Sequence, residues 1–461
     1  MELNSIARIE KASKRGRSDS FRLGVGLIFV VMIMLYTSLA QGASGPQGVM
    51  LVAAAIIGGY MAMNIGANDV ANNVGPAVGS KAISMVGALI IASVFEMAGA
   101  LVAGGDVVAT IQKGIINPAA IGDTDRFIWL MTAALLAGAV WLNIATAVGA
   151  PVSTTHSIIG AVLGAGLAAG GSAAANWGQL GEIAASWVIS PVMGAAIAAA
   201  FLYWIKRSIT WRGDMIGAAR RTVPLMIGLM VFAFSAYLVL KGLNRVWQTG
   251  VLQALGIGTV LGVLGWRLAI GWVRQRLPLL ANTKAGINTL FTLPLICAAA
   301  LLSFAHGAND VANAVGPLAA IADAVRSGAV SGRAPIPLWV MVVGAVGIAL
   351  GLLLYGPRMI RKVGSEITEL DQMRAFCIAM SAAVTVIVAS QLGLPVSSTH
   401  IAVGVSGFAF ACSFLSSSSF FSCCFSSATP ALATSPALAA SGAGDGLPLP
   451  PCALRARTHP I

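Results

Sequence analysis

Uncharged apolar stretches recur along the whole chain, and short segments rich in polar or basic residues separate them. Residues 23–40, 50–65 and 127–150 are three examples. A helix needs about 20 mostly apolar residues to cross the hydrocarbon core of a bilayer. None of these stretches shows the strict alternation of apolar and polar positions that is typical of a half-buried strand. The pattern predicts an all-α polytopic membrane protein with about 10–12 membrane segments.

The composition agrees with this prediction and excludes most soluble proteins. Hydrophobic residues make up 57% of the chain and charged residues 10%, and the mean hydropathy is +0.86. An ordinary globular protein has about 25% charged residues. So few charges cannot cover a water-exposed surface, and the same numbers exclude a disordered chain and a coiled coil. The formal net charge of +12 does not indicate nucleic-acid binding, because Lys and Arg lie between apolar segments rather than in one patch.

Basic clusters indicate how the chain is oriented in the membrane. Residues 1–22 are rich in Arg and Lys, and an apolar run follows from 23 to about 40. This run is too long for most signal-peptide cores, so we expect an uncleaved first helix with its basic flank in the cytoplasm. Further clusters near 206–221, 267–284 and 358–362 predict cytoplasmic loops, and binding of anionic lipids is the alternative explanation.

The most informative feature is an internal repeat. Residues 66–76 read GANDVANNVGP and residues 307–317 read GANDVANAVGP, identical at ten of eleven positions. Residues 151–156 read PVSTTH and residues 395–400 read PVSSTH. Both motifs keep their order and nearly their spacing, so the chain contains a duplicated unit. Paired interruptions of apolar segments in corresponding halves are typical of transporters built from inverted repeats.

The duplication divides the chain into five segments. These are a basic N-terminus with an extra transmembrane helix (1–47), the first repeat (48–205), a linking region with further spans (206–288), the second repeat (289–411) and an atypical Ser/Pro-rich tail (412–461). We expect both motifs to interrupt their helices, and the segment after PVSTTH to be a re-entrant half-helix. We expect the tail to be the product of a frameshift, because a Ser/Pro-rich sequence replaces the expected apolar span, or to be disordered, because its composition buries little apolar area.

The PVS(T/S)TH copies predict two helix N-termini. Pro suits the start of a helix, and Ser and Thr cap its first turn. Two such N-termini would offer free backbone N–H groups, hydroxyl donors and the positive ends of helix dipoles, which is an anion site without a full cationic charge. The alternative is that these hydroxyls only cap helices or join helix pairs in lipid. The candidate residues are Ser153, Thr154 and Thr155, with Ser397, Ser398 and Thr399.

The GANDVAN copies add carboxylates and amides. The first copy has Asn68, Asp69 and Asn72, matched in the second by Asn309, Asp310 and Asn313. An Asp inside a membrane segment is expensive and by default marks an ion or substrate path. Oxygen ligands suit hard cations. A carboxylate repels an oxyanion beside it unless a cation or a proton is also bound, so the pair of motifs predicts coupling between an anion and one of these. The alternative is a structural Asp satisfied by capping.

Other polar residues in the apolar runs are weaker candidates. Three of the four histidines, His156, His306 and His400, lie on or beside the motifs, and His306 stands where the first repeat has Ile65. They could carry protons or contact anions, or simply hydrogen-bond neighbouring helices. Glu96 lies in an apolar run without an obvious partner in the second repeat, and is either a coupling carboxylate or paired with a polar neighbour.

The two GANDVAN copies and the two PVS(T/S)TH copies resemble the PiT family of inorganic phosphate transporters, from about residue 48 to 411. The resemblance implies a helical transporter with inverted repeats that moves phosphate together with Na⁺ or H⁺. Some bacterial members carry metal–phosphate complexes, and some relatives carry sulfate. After the second PVSSTH, a full apolar span that the first repeat would predict does not follow.

The resemblance also assigns roles to the motif residues. It implies that Asp69, Asn72, Asp310 and Asn313 form the phosphate and cation site, and that they hold Na⁺ if the protein is sodium-coupled. Asn68 and Asn309 would join them. It further implies that the six hydroxyl residues of the PVS(T/S)TH copies cradle phosphate at the two half-helix N-termini.

The function expected from these residues is secondary active import of inorganic phosphate across the plasma membrane, the inner membrane in a bacterium. A sulfate permease on the same scaffold is the alternative. We expect no cofactor beyond the coupling ion, H⁺ or Na⁺, and no nucleic-acid partner. The partners are phosphate, a coupling cation and the lipid bilayer, and the chain could form a homodimer. An enzyme is disfavoured because the sequence has neither a G-x-S-x-G elbow nor an H-E-x-x-H zinc helix, and a channel is a minor alternative.

Overall fold

The computed structural model describes residues 2–41, 45–105, 107–108, 115–117, 120–242, 250–330, 336–366 and 370–414. The tail that the sequence predicts to be disordered or frameshifted therefore lies almost entirely outside the described residues.

The described chain is built from helices. They are α1 (Glu2–Ala40), α2 (Gly45–Gly79), α3 (Met85–Ala103), α4 (Thr124–Val148), α5 (Thr154–Gly170), α6 (Trp177–Ile205), α7 (Met215–Lys241), α8 (Val251–Arg276), α9 (Thr292–Ser327), α10 (Leu338–Glu366), α11 (Gln372–Gln391) and α12 (Ser398–Phe414). Short helical turns fill several connections, and the described residues contain no strand beyond one isolated bridge between Ile116 and Ala175. Eleven of the described helices are long and apolar enough to cross a membrane. The prediction of an all-α polytopic protein with 10–12 membrane segments is confirmed.

The first motif does not interrupt its helix, contrary to expectation. Helix α2 continues through Asp69 to its end at Gly79, and α9 continues through Asp310 to Ser327. Both helices even retain the motif proline, Pro76 and Pro317, in their interior. Such prolines are tolerated in membrane helices because neighbouring helices satisfy the freed backbone groups. The polar motif side chains likewise find partners on other helices, so the backbone has no reason to unwind.

Motif helices of each repeat pack mainly against helices of the other repeat. Helix α2 of the first repeat packs mainly against α10 of the second, and α9 of the second packs mainly against α3 of the first. The first glycine of each GANDVAN copy permits this approach: a Cβ at Gly66 would overlap the carbonyl oxygen of Ile348, and one at Gly307 would overlap that of Glu96. The motif helices of both repeats therefore lie side by side in the protein interior.

The second motif does begin a helix in each repeat. Helix α4 ends at Gly149, which adopts φ 73° in the left-handed region that glycine allows. Ser153 then serves as the N-cap of α5, its Oγ accepting a hydrogen bond from His156 N at 3.1 Å. Ser397 Oγ accepts from His400 N at the same distance at the start of α12. The prediction that these residues cap helices is confirmed, and both helices are only 17 residues long.

Two further helices lie in the linking region. Helices α7 and α8 pack closely against each other, and α8 has its main helical partner in α7. Glycines bring the two backbones together, since a Cβ at Gly228 would lie 3.0 Å from the carbonyl oxygen of Gly262. The division of the chain into repeats and a linking region stays a prediction, but this region does contain two helices long enough to be spans.

Candidate substrate and cation site

The aspartates of the two GANDVAN copies meet in the middle of the protein. Asp69 on α2 and Asp310 on α9 are both completely buried. Thr154, the first residue of α5, joins them: its Oγ1 donates to Asp69 Oδ2 at 2.9 Å and lies 3.4 Å from Asp310 Oδ2. The sequence expectation that the repeated aspartates share one site thus agrees with their geometry.

Asp69 is surrounded by hydroxyl and amide groups from both repeats. Its Oδ1 accepts from Thr399 Oγ1 at 3.0 Å, and Asn72 Nδ2 lies 3.3 Å away. Asn72 Nδ2 also donates to Thr399 Oγ1 at 2.9 Å. A helix of the first repeat is therefore tied to the second PVSSTH copy.

Asp310 is also surrounded by hydroxyl and amide groups, although not by the exact counterparts of those around Asp69. Ser398 Oγ donates to Asp310 Oδ2 at 3.2 Å, and Asn309 Nδ2 donates to Asp310 Oδ1 at 2.6 Å. Asn313 Nδ2 donates to the hydroxyls of Thr154 and Thr155 at 3.3 and 3.2 Å. A helix of the second repeat is in this way tied to the first PVSTTH copy.

Helices α5 and α12 also contact each other directly at their N-termini. Thr155 Oγ1 donates to the carbonyl of Val396 at 3.1 Å, and Thr399 Oγ1 lies 3.2 Å from the carbonyl of Val152. Each valine directly precedes the capping serine of its copy. The first N–H groups of α5 and α12 have no partner within their own helix, so the two N-termini present donors and positive dipole ends at one place.

Four of the predicted residues hold the backbone around the site, and one of them, Asn309, also contacts the Asp310 carboxylate. Asn68 Nδ2 donates to Thr146 Oγ1 and to the Ala150 carbonyl, and its Oδ1 accepts from Val152 N at 3.0 Å. Asn309 donates to the Val396 carbonyl as well as to Asp310. Ser153 and Ser397 are occupied as N-caps. The residues that converge are Asp69, Asn72, Thr154, Thr155, Asp310, Asn313, Ser398 and Thr399.

A buried histidine links these aspartates to a third carboxylate. His306 Nε2 lies 2.8 Å from Asp310 Oδ2 and 3.6 Å from Asp69 Oδ2, and its Nδ1 lies 3.3 Å from Glu96 Oε2. Glu96 Oε1 accepts from Asn73 Nδ2 at 2.7 Å. From the sequence alone, His306 and Glu96 were weaker candidates and were not assigned to the site. The available signal was spacing, because His306 precedes Asp310 by four residues and so shares its helix face.

The other two histidines form a separate cluster on α5 and α12. The rings of His156 and His400 lie 4.5 Å apart, and the Trp187 ring lies 3.7 Å from His156. Trp187 Nε1 donates to the carbonyl of Pro395 at 3.2 Å. Helix α6 thereby touches both copies of the second motif through one side chain.

The site contains ligand atoms for a cation. One oxygen from each of Asp69 and Asp310 and a nitrogen of His306 all lie within 4.8 Å of one another. The Na⁺ set implied by the resemblance (Asp69, Asn72, Asp310 and Asn313) is also gathered here by the contacts described above. Carboxylate and amide oxygens suit hard cations, whereas an imidazole nitrogen favours a transition metal.

Helices that can span a membrane, with a buried polar site where two repeated halves meet, define a membrane transporter. The chain belongs to the phosphate transporter family, whose model matches residues 65–419. It is 55% identical over 407 residues to a protein of Helicobacter pylori J99 provisionally named a phosphate permease, covering 88% of this chain and 76% of that protein. A similarly named protein of Thermococcus kodakarensis is 40% identical over 350 residues, with 76% and 85% covered.

A solved structure also resembles the chain. It is titled "The sodium-dependent phosphate transporter", and it matches with a TM-score of 0.75 and 34% identity over 80% of this chain and 92% of that one. The protein is therefore a multi-pass membrane transporter of phosphate and not an enzyme, as the sequence motifs led us to expect.

Proposed function

We propose that this transporter imports inorganic phosphate across the plasma membrane by symport with a cation, and that phosphate binds where the first turns of α5 and α12 meet Asp69 and Asp310. The observation that carries the proposal is the convergence of both half-helix N-termini on two fully buried carboxylates. The N-termini attract an oxyanion, whereas the carboxylates repel it. A cation held by the carboxylates removes this conflict, so the anion and the cation favour each other's binding.

Sodium is our first choice for the cation. The carboxylate and amide oxygens of Asp69, Asn72, Asp310 and Asn313 are suitable ligands for it, and the similar solved structure is named for sodium dependence. A proton is the second candidate. Metal–phosphate is a further candidate cargo, favoured by the nearby nitrogen of His306, which would suit a divalent transition ion.

Phosphate is favoured over sulfate by its own chemistry. Monohydrogen phosphate retains a proton and can donate it in a hydrogen bond to a carboxylate such as Asp69 or Asp310. Sulfate at neutral pH has no such donor and would place an acceptor against an acceptor. Sulfate should therefore compete poorly for uptake.

The test is uptake of radiolabelled phosphate in cells that lack their own phosphate transporters. Uptake is compared in Na⁺ and choline buffers, each with and without a protonophore, for the wild type and Asp310→Asn. Asp214→Asn is the matched control, because Asp214 caps α7 outside the site. We expect accumulation that depends on one gradient, is lost in Asp310→Asn and is retained in Asp214→Asn. Uptake unaffected by Asp310→Asn would refute the proposed site.

A further inference from the structure

The α7–α8 hairpin carries a basic cavity far from the repeated motifs in sequence. The cavity has a volume of about 490 Å³ and lies between the first turns of α7 and the last turns of α8. It is lined by Gly217, Arg220, Arg221, Trp266, Ile270 and Arg274. A fourth cation lies beside it, since the guanidinium of Arg267 is 5.3 Å from the centre of the Trp266 ring.

The positive charge of this cavity is not neutralised within the described chain. None of the three lining arginines forms an ion pair with a described carboxylate. The carboxylate nearest in sequence, Asp214, caps α7 by accepting a hydrogen bond from Gly217 N at 2.8 Å. Three arginines around one cavity without a counter-charge indicate a site for an anionic group, and guanidinium is well suited to phosphate.

The surface next to the cavity is apolar. Leu225 and Leu229 follow Arg221 at i+4 spacing on α7, so they continue the same face of the helix, and both are largely exposed, at 51% and 42%. Both helices are long and apolar enough to span a membrane, so these leucines would face lipid acyl chains. A soluble anion would gain nothing from this surface, whereas a phospholipid would place its headgroup among the arginines and its chains on the leucines.

We propose that this cavity binds the phosphate headgroup of an anionic phospholipid. The charge places it at the cytoplasmic end of the hairpin, because basic residues are retained on that side of the membrane. The cytoplasmic leaflet is also where anionic lipids attract basic groups. Trp266 contributes an aromatic ring at the level where headgroups meet acyl chains, the position that tryptophan favours in membrane proteins.

The test compares lipid binding by two purified full-length variants that lose the same charge. Arg220→Gln/Arg221→Gln/Arg274→Gln removes the cavity arginines. Its matched control is Arg207→Gln/Arg212→Gln/Arg361→Gln, which removes three exposed arginines from the basic clusters outside the cavity. Native mass spectrometry in detergent measures retention of phosphatidylglycerol and phosphatidylcholine, and thermal unfolding with each lipid measures the effect on stability. Wild-type unfolding temperature without lipid is the reference for correct folding of both variants.

We expect phosphatidylglycerol, and not phosphatidylcholine, to bind and raise the unfolding temperature of the wild type and the control variant. The cavity variant should bind phosphatidylglycerol more weakly by about 5-fold per arginine, roughly 100-fold for all three. Equal losses in both variants would mean unspecific attraction and overturn the proposal. So would equal binding of both lipids, or an equal shift produced by glycerol 3-phosphate, which would indicate a site for soluble anions. A wild-type dimer whose interface covers the cavity and keeps lipid out of it would also overturn the proposal.

Discussion

Thr399 and Thr155 occupy equivalent positions in the two repeats, and each hydroxyl contacts a valine carbonyl and an asparagine, but only that of Thr399 also contacts a carboxylate. Thr399 Oγ1 lies 3.0 Å from Asp69 Oδ1 and accepts from Asn72 at 2.9 Å. Thr155 Oγ1 donates to the backbone carbonyl of Val396 at 3.1 Å, and none of its described hydrogen-bond partners is a carboxylate. Replacing each threonine with valine removes the hydroxyl and nearly preserves the shape. We therefore predict unequal losses of phosphate uptake from two substitutions that look identical in sequence.

The magnitudes follow from the charge of the acceptor. A hydrogen bond to a charged group contributes about 1.5–3 kcal/mol, and one between neutral groups about 0.5–1.5 kcal/mol. Since about 1.4 kcal/mol corresponds to a factor of ten in rate, Thr399→Val should lower kcat/KM for phosphate roughly 10- to 100-fold. Thr155→Val should lower it only about 2- to 10-fold by the same conversion.

The assay is the initial rate of radiolabelled phosphate uptake over a range of phosphate concentrations, normalised to the amount of each variant in the membrane. Thr155→Val serves as the internal control for loss of a buried hydroxyl. Equal losses in the two variants, or a greater loss in Thr155→Val, would refute the reasoning. That result would mean that the hydroxyl next to Asp69 has no special part in positioning the carboxylate.

Two other substitutions test the packing around the site. Gly307→Ala should lower the free energy of unfolding by about 1–3 kcal/mol, because the new methyl overlaps the Glu96 carbonyl. Thermal unfolding measures this loss. Gly75→Ala is the control, because a Cβ at Gly75 would meet nothing within 4 Å. Trp187→Phe keeps the aromatic ring but removes the hydrogen bond to Pro395, so uptake should fall less than about tenfold. Unchanged stability in the first variant, or abolished uptake by a correctly folded second variant, would contradict these packing arguments.

The repeat identified the residues at the centre of the candidate site. Asp69 and Asp310 stand at equivalent positions in two near-identical motifs, and an Asp in an apolar segment needs partners that the PVS(T/S)TH copies provide. The resemblance of both motif pairs to the PiT family implied that these residues share one site, but it did not show which helices pack together. The role of Ser153 as a helix cap followed from local sequence alone.

The sequence could not show which helices of one repeat pack against which helices of the other. The pairing of Glu96 with Asn73 and His306 joins α3 to both motif helices, and no spacing along the chain reveals such contacts between distant helices. The continuity of α2 and α9 was missed for a related reason. Polar residues and a proline indicate a break when a helix is judged alone, but partners on neighbouring helices remove the need for it. The unequal surroundings of Thr155 and Thr399 are equally invisible in two similar motifs.

The position of phosphate is tested most directly by an experimental structure of the full chain with phosphate and Na⁺, compared with one containing sulfate. We predict tetrahedral density between the first turns of α5 and α12, with its oxygens within about 2.6–3.2 Å of Thr154 and Ser398. We also predict a cation beside Asp69 and Asp310, and no equivalent density with sulfate. Phosphate bound elsewhere, with water alone between the first turns of α5 and α12, would contradict the proposed site.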